Sequence, residues 1–98
     1  MRMAIQSFAD PVAERFFVTG RLAKRVAWTG FSTVVRRKLD MLDYAAALRD
    51  LRSPPGNRLE ALRRDLAGFH SIRINQQWRI VFKWTESGAE QVQIMDYH

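Results

Sequence analysis

Residues 71 to 84 decide the fold, and they read Ser71-Ile72-Arg73-Ile74-Asn75-Gln76-Gln77-Trp78-Arg79-Ile80-Val81-Phe82-Lys83-Trp84. The even-numbered positions form an apolar set, whose members are Ile72, Ile74, Trp78, Ile80, Phe82 and Trp84. The charges fall on odd-numbered positions, which are Arg73, Arg79 and Lys83. A period of two is typical of a β-strand, because successive side chains point to opposite faces. The pattern therefore predicts a sheet with one core face and one cationic face.

A turn in the middle of this stretch predicts a hairpin. If residues 75–77 form a three-residue loop, Ile72 pairs with Ile80 and Arg73 lies directly opposite Arg79. Like charges in that position repel each other. A bound anion would convert the repulsion into attraction, because a guanidinium group matches the oxygens of a phosphate. The alternative is that both side chains extend into solvent, as most surface arginines do.

The first half of the chain predicts two helices. Asp10 followed by Pro11 is a start signal for a helix over residues 12–18, which Gly20 ends. Ser32 is the expected cap of a second, longer helix. Its apolar positions recur on one face and are Val35, Leu39, Leu42 and Ala46. The segment at residues 53–57, which contains two prolines and a glycine, is expected to stop this helix.

Strands are predicted in the rest of the chain. A short one is expected at residues 4–8, and others at 58–62, 69–74, 78–84 and 90–95, with turns at 75–77 and 86–89. Helices followed by antiparallel strands predict an α+β fold with the helices on one face of the sheet. A length of 98 residues predicts one domain, spanning residues 1–98.

The composition narrows the class of partner. The 16 Lys and Arg outnumber the 10 Asp and Glu, and the net charge of +6 favours an anionic partner, whether DNA, RNA, an acidic protein or a membrane surface. The lack of cysteine excludes a disulfide scaffold and a thiol nucleophile. No apolar run approaches the roughly 20 residues of a membrane span, and the first ten residues lack a signal-peptide core. We therefore expect a soluble, intracellular protein.

The last three residues of the sequence, Asp96, Tyr97 and His98, offer an acid, a phenol and an imidazole. An imidazole titrates near neutral pH and can act as a general acid or base, while a tyrosine can stack on a base. A frayed terminus is the structural alternative. Strand alternation would turn Asp96 and His98 toward the core face, unless the strand ends or bends before Asp96; the sequence leaves this open.

Other polar groups carry weaker signals. Arg63 and Arg64 are either a solvated basic turn or a second set of phosphate contacts. Glu60 is either a solvated strand residue or a general base, and His70 is expected to be a satisfied structural histidine. The two histidines lie too far apart in sequence for a recognised zinc spacing, so we expect no metal or other cofactor.

These residues, in this order, resemble the HigB branch of the RelE superfamily of toxins, which is ParE-like in fold. The resemblance covers nearly the whole chain. It is strongest in five segments, which are Arg36-Arg37-Lys38-Leu39-Asp40-Met41-Leu42-Asp43, Pro54-Pro55-Gly56-Asn57-Arg58-Leu59-Glu60-Ala61-Leu62, Ser71-Ile72-Arg73-Ile74-Asn75, Gln77-Trp78-Arg79-Ile80 and Asp96-Tyr97-His98. Each segment alone is a weak signal, whereas the ordered set is specific.

The resemblance implies a microbial-ribonuclease-like fold, with two or three N-terminal helices against a twisted antiparallel sheet. It implies ribosome-dependent cleavage of mRNA in the decoding site, and hence a cytoplasmic endoribonuclease. It also implies an antitoxin partner, typically a HigA-type helix-turn-helix protein, and a toxin–antitoxin complex that binds operator DNA and represses its own operon.

Mapped onto this chain, the resemblance gives most weight to Arg79 and to the terminal Asp96, Tyr97 and His98. Arg63 stands where relatives commonly have Lys, and Gln77 is similar to a polar Asn of some members.

There are departures from the family pattern. Glu60 stands where several relatives have a functional His, although a Glu-bearing subgroup exists. The stretch expected to read Lys-Gly-Asp-Arg after Leu62 reads Arg63-Arg64-Asp65-Leu66, and the polar-aromatic positions after Gly68 are Phe69-His70. These changes affect what the resemblance implies about the rate of RNA cleavage and about which residues act as acid and base. They leave the phosphate-binding arginines in place.

Our hypothesis from the sequence is a type II toxin that cleaves mRNA through attack of the substrate's own 2′-hydroxyl. Such chemistry needs a base, an acid and cations, and no metal. Arg73, Arg79 and Arg63 are assigned to phosphate and transition-state charge, His98 to proton transfer, Asp96 to orienting it or acting as base, Tyr97 to the nucleotide, and Arg64, Gln77 and Glu60 to substrate binding. The alternative is a catalytically weak or inactive basic module that binds an antitoxin and nucleic acid.

Overall fold

The computed structural model of the protein describes residues 4–96. Within this range the helices are α1, Pro11–Thr19, and α2, Ser32–Tyr44. The strands are β1, Glu60–Ala61, then β2, His70–Arg73, then β3, Trp78–Thr85, and finally β4, Gly88–Asp96. Short 3-10 turns occupy Thr29–Phe31, Leu48–Arg52, Pro55–Asn57 and Arg64–Leu66.

The strands form one antiparallel sheet in which each strand pairs with its neighbour in the sequence, in the order β1-β2-β3-β4. The predicted hairpin register is confirmed, because Ile72 pairs with Ile80 and Arg73 pairs with Arg79. The carboxamide oxygen of Asn75 fixes the turn by accepting from the backbone N–H groups of Gln77 and Trp78, both at 2.8 Å. A local polar contact therefore sets which side chains face each other across the hairpin.

Helix α1 forms where the sequence predicts it, with one more residue at each end. The Asp10 carboxylate accepts from the N–H groups of Val12 and Ala13 at 3.1 Å, which satisfies donors that the first turn leaves free. Gly20 closes the helix in a left-handed conformation, with φ of 76°, and its N–H donates to the Phe16 carbonyl at 2.8 Å.

Two predictions for α2 are wrong. Ser32 is not the cap of the helix. The 3-10 turn at Thr29–Phe31 leads directly into α2, so that Ser32 is the first residue of the helix. The helix also ends at Tyr44 rather than near residue 53. The Asp50 carboxylate accepts from the N–H groups of Ala46 and Ala47 at 3.0 Å, so a side chain offers this backbone an alternative to the helix.

The predicted first strand at residues 4–8 is also not a regular strand. The segment runs parallel to β4 and forms a single bridge between Phe8 and Val92. The hydroxyl of Ser7 accepts from the N–H of Gln91, which sits in a β-bulge with φ of 54°. Because a side chain replaces a backbone partner at the bulge, a continuous ladder does not form.

Both helices pack on one face of the sheet, which confirms the α+β prediction. The core joins α1 and α2 to alternate residues of the strands, and includes Ala13, Phe16, Val35, Leu39, Leu42, Ile72, Ile80, Phe82, Val92 and Ile94. The two tryptophans of the predicted apolar set, Trp78 and Trp84, are partly buried against this core. Over residues 4–96, no helix combines the length and apolar character needed to cross a membrane.

Candidate nucleic-acid interface and active site

The sheet face opposite the helices, here called the open face, carries the predicted arginine pair. Arg73 on β2 and Arg79 on β3 are register partners, and Met95 on β4 lies beyond Arg79. Two residues further along the strands, Ser71 pairs with Val81 and also with Glu60 on β1. Because paired residues of antiparallel strands project to the same side, these groups lie on one side of the sheet, where Ser71 and Val81 are fully buried.

Arg79 is held in place by groups of the open face itself. Its Nε donates to the Ser71 hydroxyl at 2.7 Å, and its Nη2 donates to the Arg58 carbonyl at 2.7 Å. Ser71 is fully buried, so the acceptor for Nε is itself fixed by packing. Two bonds from different nitrogens of one planar group fix its orientation as well as its position. The guanidinium of Arg79 is therefore oriented before any ligand binds.

Arg73 is held differently. Its Nε donates to the Asn75 carbonyl at 3.0 Å, within the turn that joins β2 and β3. The side chain is half-buried rather than extended into solvent, which argues against the fully solvated alternative. The turn residue Asn75 thus fixes the hairpin through its side chain and orients Arg73 through its backbone.

Arg63 and Arg64 lie beside the open face rather than on it. They follow β1, where the Leu62 N–H donates to the Phe69 carbonyl at 2.9 Å and continues the pairing with the chain before β2. A cavity of about 380 Å³ is lined by Glu60, Ala61, Leu62, Arg63 and Arg64. Because Glu60 also pairs with Ser71, this cavity adjoins the surface around Arg79. The structure therefore brings these predicted substrate-binding residues to one edge of the sheet.

Gln77, in the turn between β2 and β3, contacts Asp96 at the end of β4. The Gln77 Nε2 donates to the Asp96 carboxylate at 3.0 Å, and Asp96 pairs with Trp78 as the last residue of β4. The strand thus continues through Asp96, and because Asp96 pairs with Trp78 it projects to the side of Trp78 and Ile94, opposite the side of Arg79. The structure therefore does not place Asp96 on the open face with the arginines. The side chain of Asp96 is exposed. Tyr97 and His98, the other predicted terminal residues, lie outside the described residues.

His70 lies on the helix-covered side, apart from Arg73 and Arg79, and lines a cavity together with Arg49 and Arg52. Its ring stacks on Phe82, with ring centroids 6.3 Å apart. Its Nδ1 is buried, and no hydrogen-bond partner for it occurs within residues 4–96, so the prediction of a satisfied histidine is wrong. Its place against the core fits a packing role.

Metal ligands are not grouped in the part of the chain that the structure describes: no three His, Asp or Glu side chains come close enough there to hold an ion. The open face is instead built from guanidinium groups, a hydroxyl and the carboxylate of Glu60. Guanidinium groups can bind phosphate oxygens and stabilise charge that develops on them.

Sequence reasoning missed the groups that hold Arg79. Ser71 belongs to the same odd-numbered set as Arg73 and Arg79, so the alternation already placed it on the open face. Its role follows from the register, since it lies across the strand pair from Val81 and diagonal to Arg79. The Arg58 carbonyl gave no such signal, because a backbone acceptor 21 residues away leaves no trace in the side-chain pattern.

Comparison with known proteins points to one family. Residues 6–98 match the model of the RelE-like toxins of type II toxin–antitoxin systems named HigB. The chain is 40% identical over 87 residues to Toxin HigB-1 of Vibrio cholerae, covering 89% of this chain and 90% of that protein. It is 35% identical over 79 residues to an uncharacterized protein of Haemophilus influenzae, covering 81% and 77% of the two chains.

Solved structures share the fold at lower identity. A YoeB/ParE toxin from Agrobacterium tumefaciens is similar with a TM-score of 0.55 at 21% identity, covering 98% of this chain and all of that chain. YoeB from Staphylococcus aureus, solved as a dimer and in a YoeB–YefM complex, is similar with a TM-score of 0.56 at 19% identity, covering 100% and 99% of the two chains.

Proposed function

The chain belongs to the HigB family of RelE-like toxins of type II toxin–antitoxin systems, and we propose that it is an endoribonuclease that cleaves mRNA on the ribosome. The observation that carries this proposal is the arginine pair on the open face, where Arg73 lies opposite Arg79 and Arg79 is oriented by Ser71 and Arg58. Folding alone gives no reason to set two like charges opposite each other, whereas a phosphate bound between them does.

The proposed reaction is a transfer within the RNA strand. The 2′-oxygen of one nucleotide attacks the adjacent phosphorus, and the bond from phosphorus to the 5′-oxygen of the next nucleotide breaks. A base accepts the proton of the 2′-hydroxyl, and an acid gives a proton to the departing 5′-oxygen. The products are a 2′,3′-cyclic phosphate and a 5′-hydroxyl. Because the nucleophile comes from the substrate, the proposed reaction needs no metal to generate it.

Arg79 and Arg73 stabilise the negative charge that develops on the phosphate oxygens in this proposal. A donor that is already oriented contributes most, because it pays no reorganisation at the moment of reaction. His98 transfers protons, Asp96 orients it or acts as base, and Tyr97 positions the nucleotide. Arg63, Arg64, Gln77 and Glu60 bind the flanking RNA, which the cavity beside the open face supports for Arg63, Arg64 and Glu60. The ribosome would splay the mRNA and so assist a sparse catalytic set.

The protein has an antitoxin partner as a member of this family, and one of its structural neighbours is a toxin solved in a YoeB–YefM complex. We propose that the partner of this chain is a HigA-type helix-turn-helix protein. The complex would bind operator DNA and repress the operon. The site of action would be the cytoplasm, where translated mRNA is found.

Growth arrest on induction tests the proposal in cells. Wild type should stop growth, whereas Arg79→Ala and a variant lacking residues 96–98 should not. Arg15→Ala is the matched control, because it removes an exposed arginine of α1 that lies away from the open face. Transcript ends mapped on translated mRNA should show new cuts only for wild type and the control. Equal toxicity of all four proteins would contradict the catalytic assignment, and arrest without new cuts would support the binding-module alternative.

A further inference from the structure

One buried charge in the molecule has no role in the site as described so far. Lys38 lies on α2 with only 6% of its surface exposed, and its Nζ donates to the carboxamide oxygen of Asn57. Burial lowers the pKa of Lys38 below its ordinary value of 10.5, and the positive charge of Arg37 adds to this effect. An apolar side chain would fill the same space without desolvating an amine, so packing alone does not explain a lysine here.

Asn57 uses both ends of its side chain. Its oxygen accepts from Lys38, and its Nδ2 donates to the Leu51 carbonyl at 3.1 Å and to the Ser53 carbonyl at 3.3 Å. Asn57 is fully buried, and its bonds to Lys38 and to the Leu51 carbonyl form away from water. The side chain therefore ties helix α2 to the start of the loop that leads into β1.

The next residue carries the connection to the open face. Arg58 has a left-handed backbone, with φ of 46° and ψ of 55°, which is unusual for a residue with a side chain. Its N–H donates to the Pro55 carbonyl at 3.1 Å, while its own carbonyl accepts from Arg79 Nη2 at 2.7 Å. A strained conformation persists where surrounding contacts hold it. The fixed peptide of Asn57 on one side and Arg79 on the other are those contacts.

We propose that Lys38 and Asn57 are positioning residues for Arg79, acting through the backbone of Arg58. The amine of Lys38 fixes the Asn57 side chain, Asn57 fixes the loop, and the Arg58 carbonyl then holds Nη2 of the guanidinium in the orientation that the phosphate requires. The inference rests on the proposed function, because it assigns a consequence for catalysis. The structural part of the inference, that Lys38 and Asn57 orient Arg79, does not depend on the proposed function.

The experiment compares Lys38→Met with wild type in the full-length protein. Methionine keeps much of the apolar stem and removes the donor. Cleavage of ribosome-bound mRNA should show kcat reduced about tenfold with KM within about twofold, because a misplaced group loses rate more than ground-state binding. The Nε–H proton resonance of Arg79, assigned by its loss in Arg79→Ala, should shift and exchange faster with water. Lys38→Arg, which restores a donor, should recover part of both signals.

The matched control is Val35→Ala. Val35 lies on the same helix and is fully buried, so the substitution lowers stability, but it removes none of the hydrogen bonds that link Lys38 to Arg58. It should keep the wild-type kcat and the wild-type Arg79 resonance. Should Lys38→Met not fold, Asn57→Asp keeps the shape of the side chain and replaces the Nδ2 donor, and the same two changes are expected of it.

Two results would overturn the inference. One is a folded Lys38→Met or Asn57→Asp protein with unchanged kcat and an unchanged Arg79 resonance. The other is a Val35→Ala protein that loses as much rate as Lys38→Met, since general destabilisation would then explain the effect. Failure of the proposed function looks different: wild type itself would not cleave ribosome-bound mRNA, while the resonance would still report whether Lys38 orients Arg79.

Discussion

The two faces of the sheet use the same strands for different purposes. On the helix-covered face, Ile72, Ile80 and Phe82 are completely buried in the core. On the open face, the alternate residues Ser71, Arg73 and Arg79 hold one another and the backbone through polar contacts. Because neighbouring residues point in opposite directions, one stretch of chain can provide stability on one side and fixed charge on the other. Substitutions on the two faces should therefore have separable effects.

The largest effect is expected on the helix-covered face. Phe82→Ala should lower the free energy of unfolding by about 3–5 kcal/mol, because it removes a fully buried ring that contacts Trp84 and His70. Urea denaturation followed by tryptophan fluorescence would measure the loss. The cleavage rate per folded molecule should stay close to wild type. A loss below about 1 kcal/mol would show that the two faces do not differ in the way described.

The next effect belongs to the open face. Arg79→Ala should slow mRNA cleavage by about 10²- to 10³-fold, since an oriented charge donor is lost. The same variant should lose only about 1–2 kcal/mol of unfolding free energy, as expected for hydrogen bonds left without one partner. Rates on purified ribosomes and urea denaturation provide the two measurements, with Arg15→Ala as control. A variant that keeps its rate but unfolds easily would reverse the comparison.

A smaller effect is expected for the group that orients Arg79. Ser71→Ala removes the acceptor for Nε, while the bond from Nη2 to the Arg58 carbonyl at 2.7 Å remains. The rate should fall about tenfold, because one of the bonds that orient the guanidinium is lost. Ser87→Ala, in the exposed turn between β3 and β4, is the control and should keep full activity. Equal rates for the two serine variants would argue that Arg79 needs no fixed partner.

The smallest effect concerns pH. Because the pKa of Lys38 is lower in the folded protein than the ordinary 10.5, the unfolded chain binds this proton more tightly. Unfolding free energy should therefore rise with pH in wild type relative to Lys38→Met, from the lowered pKa up to pH 10.5. Urea denaturation of both proteins at neutral and alkaline pH measures the difference. A difference that stays flat or shrinks as the pH rises would contradict the burial of a charged amine at this position.

The difference between the two faces of the sheet also explains which parts of the structure could be predicted from the sequence. The register of the hairpin was predicted to the residue, because its alternation is strict and Asn75 fixes the turn locally. Arg73 and Arg79 were placed correctly on one face, since alternation and register together determine direction. The functional roles assigned to them remain proposals.

The errors fall where tertiary contacts override local pattern. Helix α2 ends at Tyr44 because the Asp50 carboxylate binds the backbone that follows, a contact that helical periodicity does not reveal. Residues 4–8 form only a bridge with β4 because a bulge at Gln91 interrupts the pairing. The connection from Lys38 through Asn57 to Arg58 depends on a loop crossing from the helices to the sheet, which side-chain spacing does not reveal.

The most direct test of the open face as a nucleolytic centre uses ribosomes programmed with two mRNAs. One carries ribose throughout, and the other carries a single 2′-deoxy nucleotide on the 5′ side of the cut. Wild type should cleave only the ribose form, leaving a 2′,3′-cyclic phosphate and a 5′-hydroxyl, and Arg79→Ala should cleave it about 10²- to 10³-fold more slowly. Cleavage of the deoxy substrate at an equal rate, or products ending in a 5′-phosphate, would contradict the account.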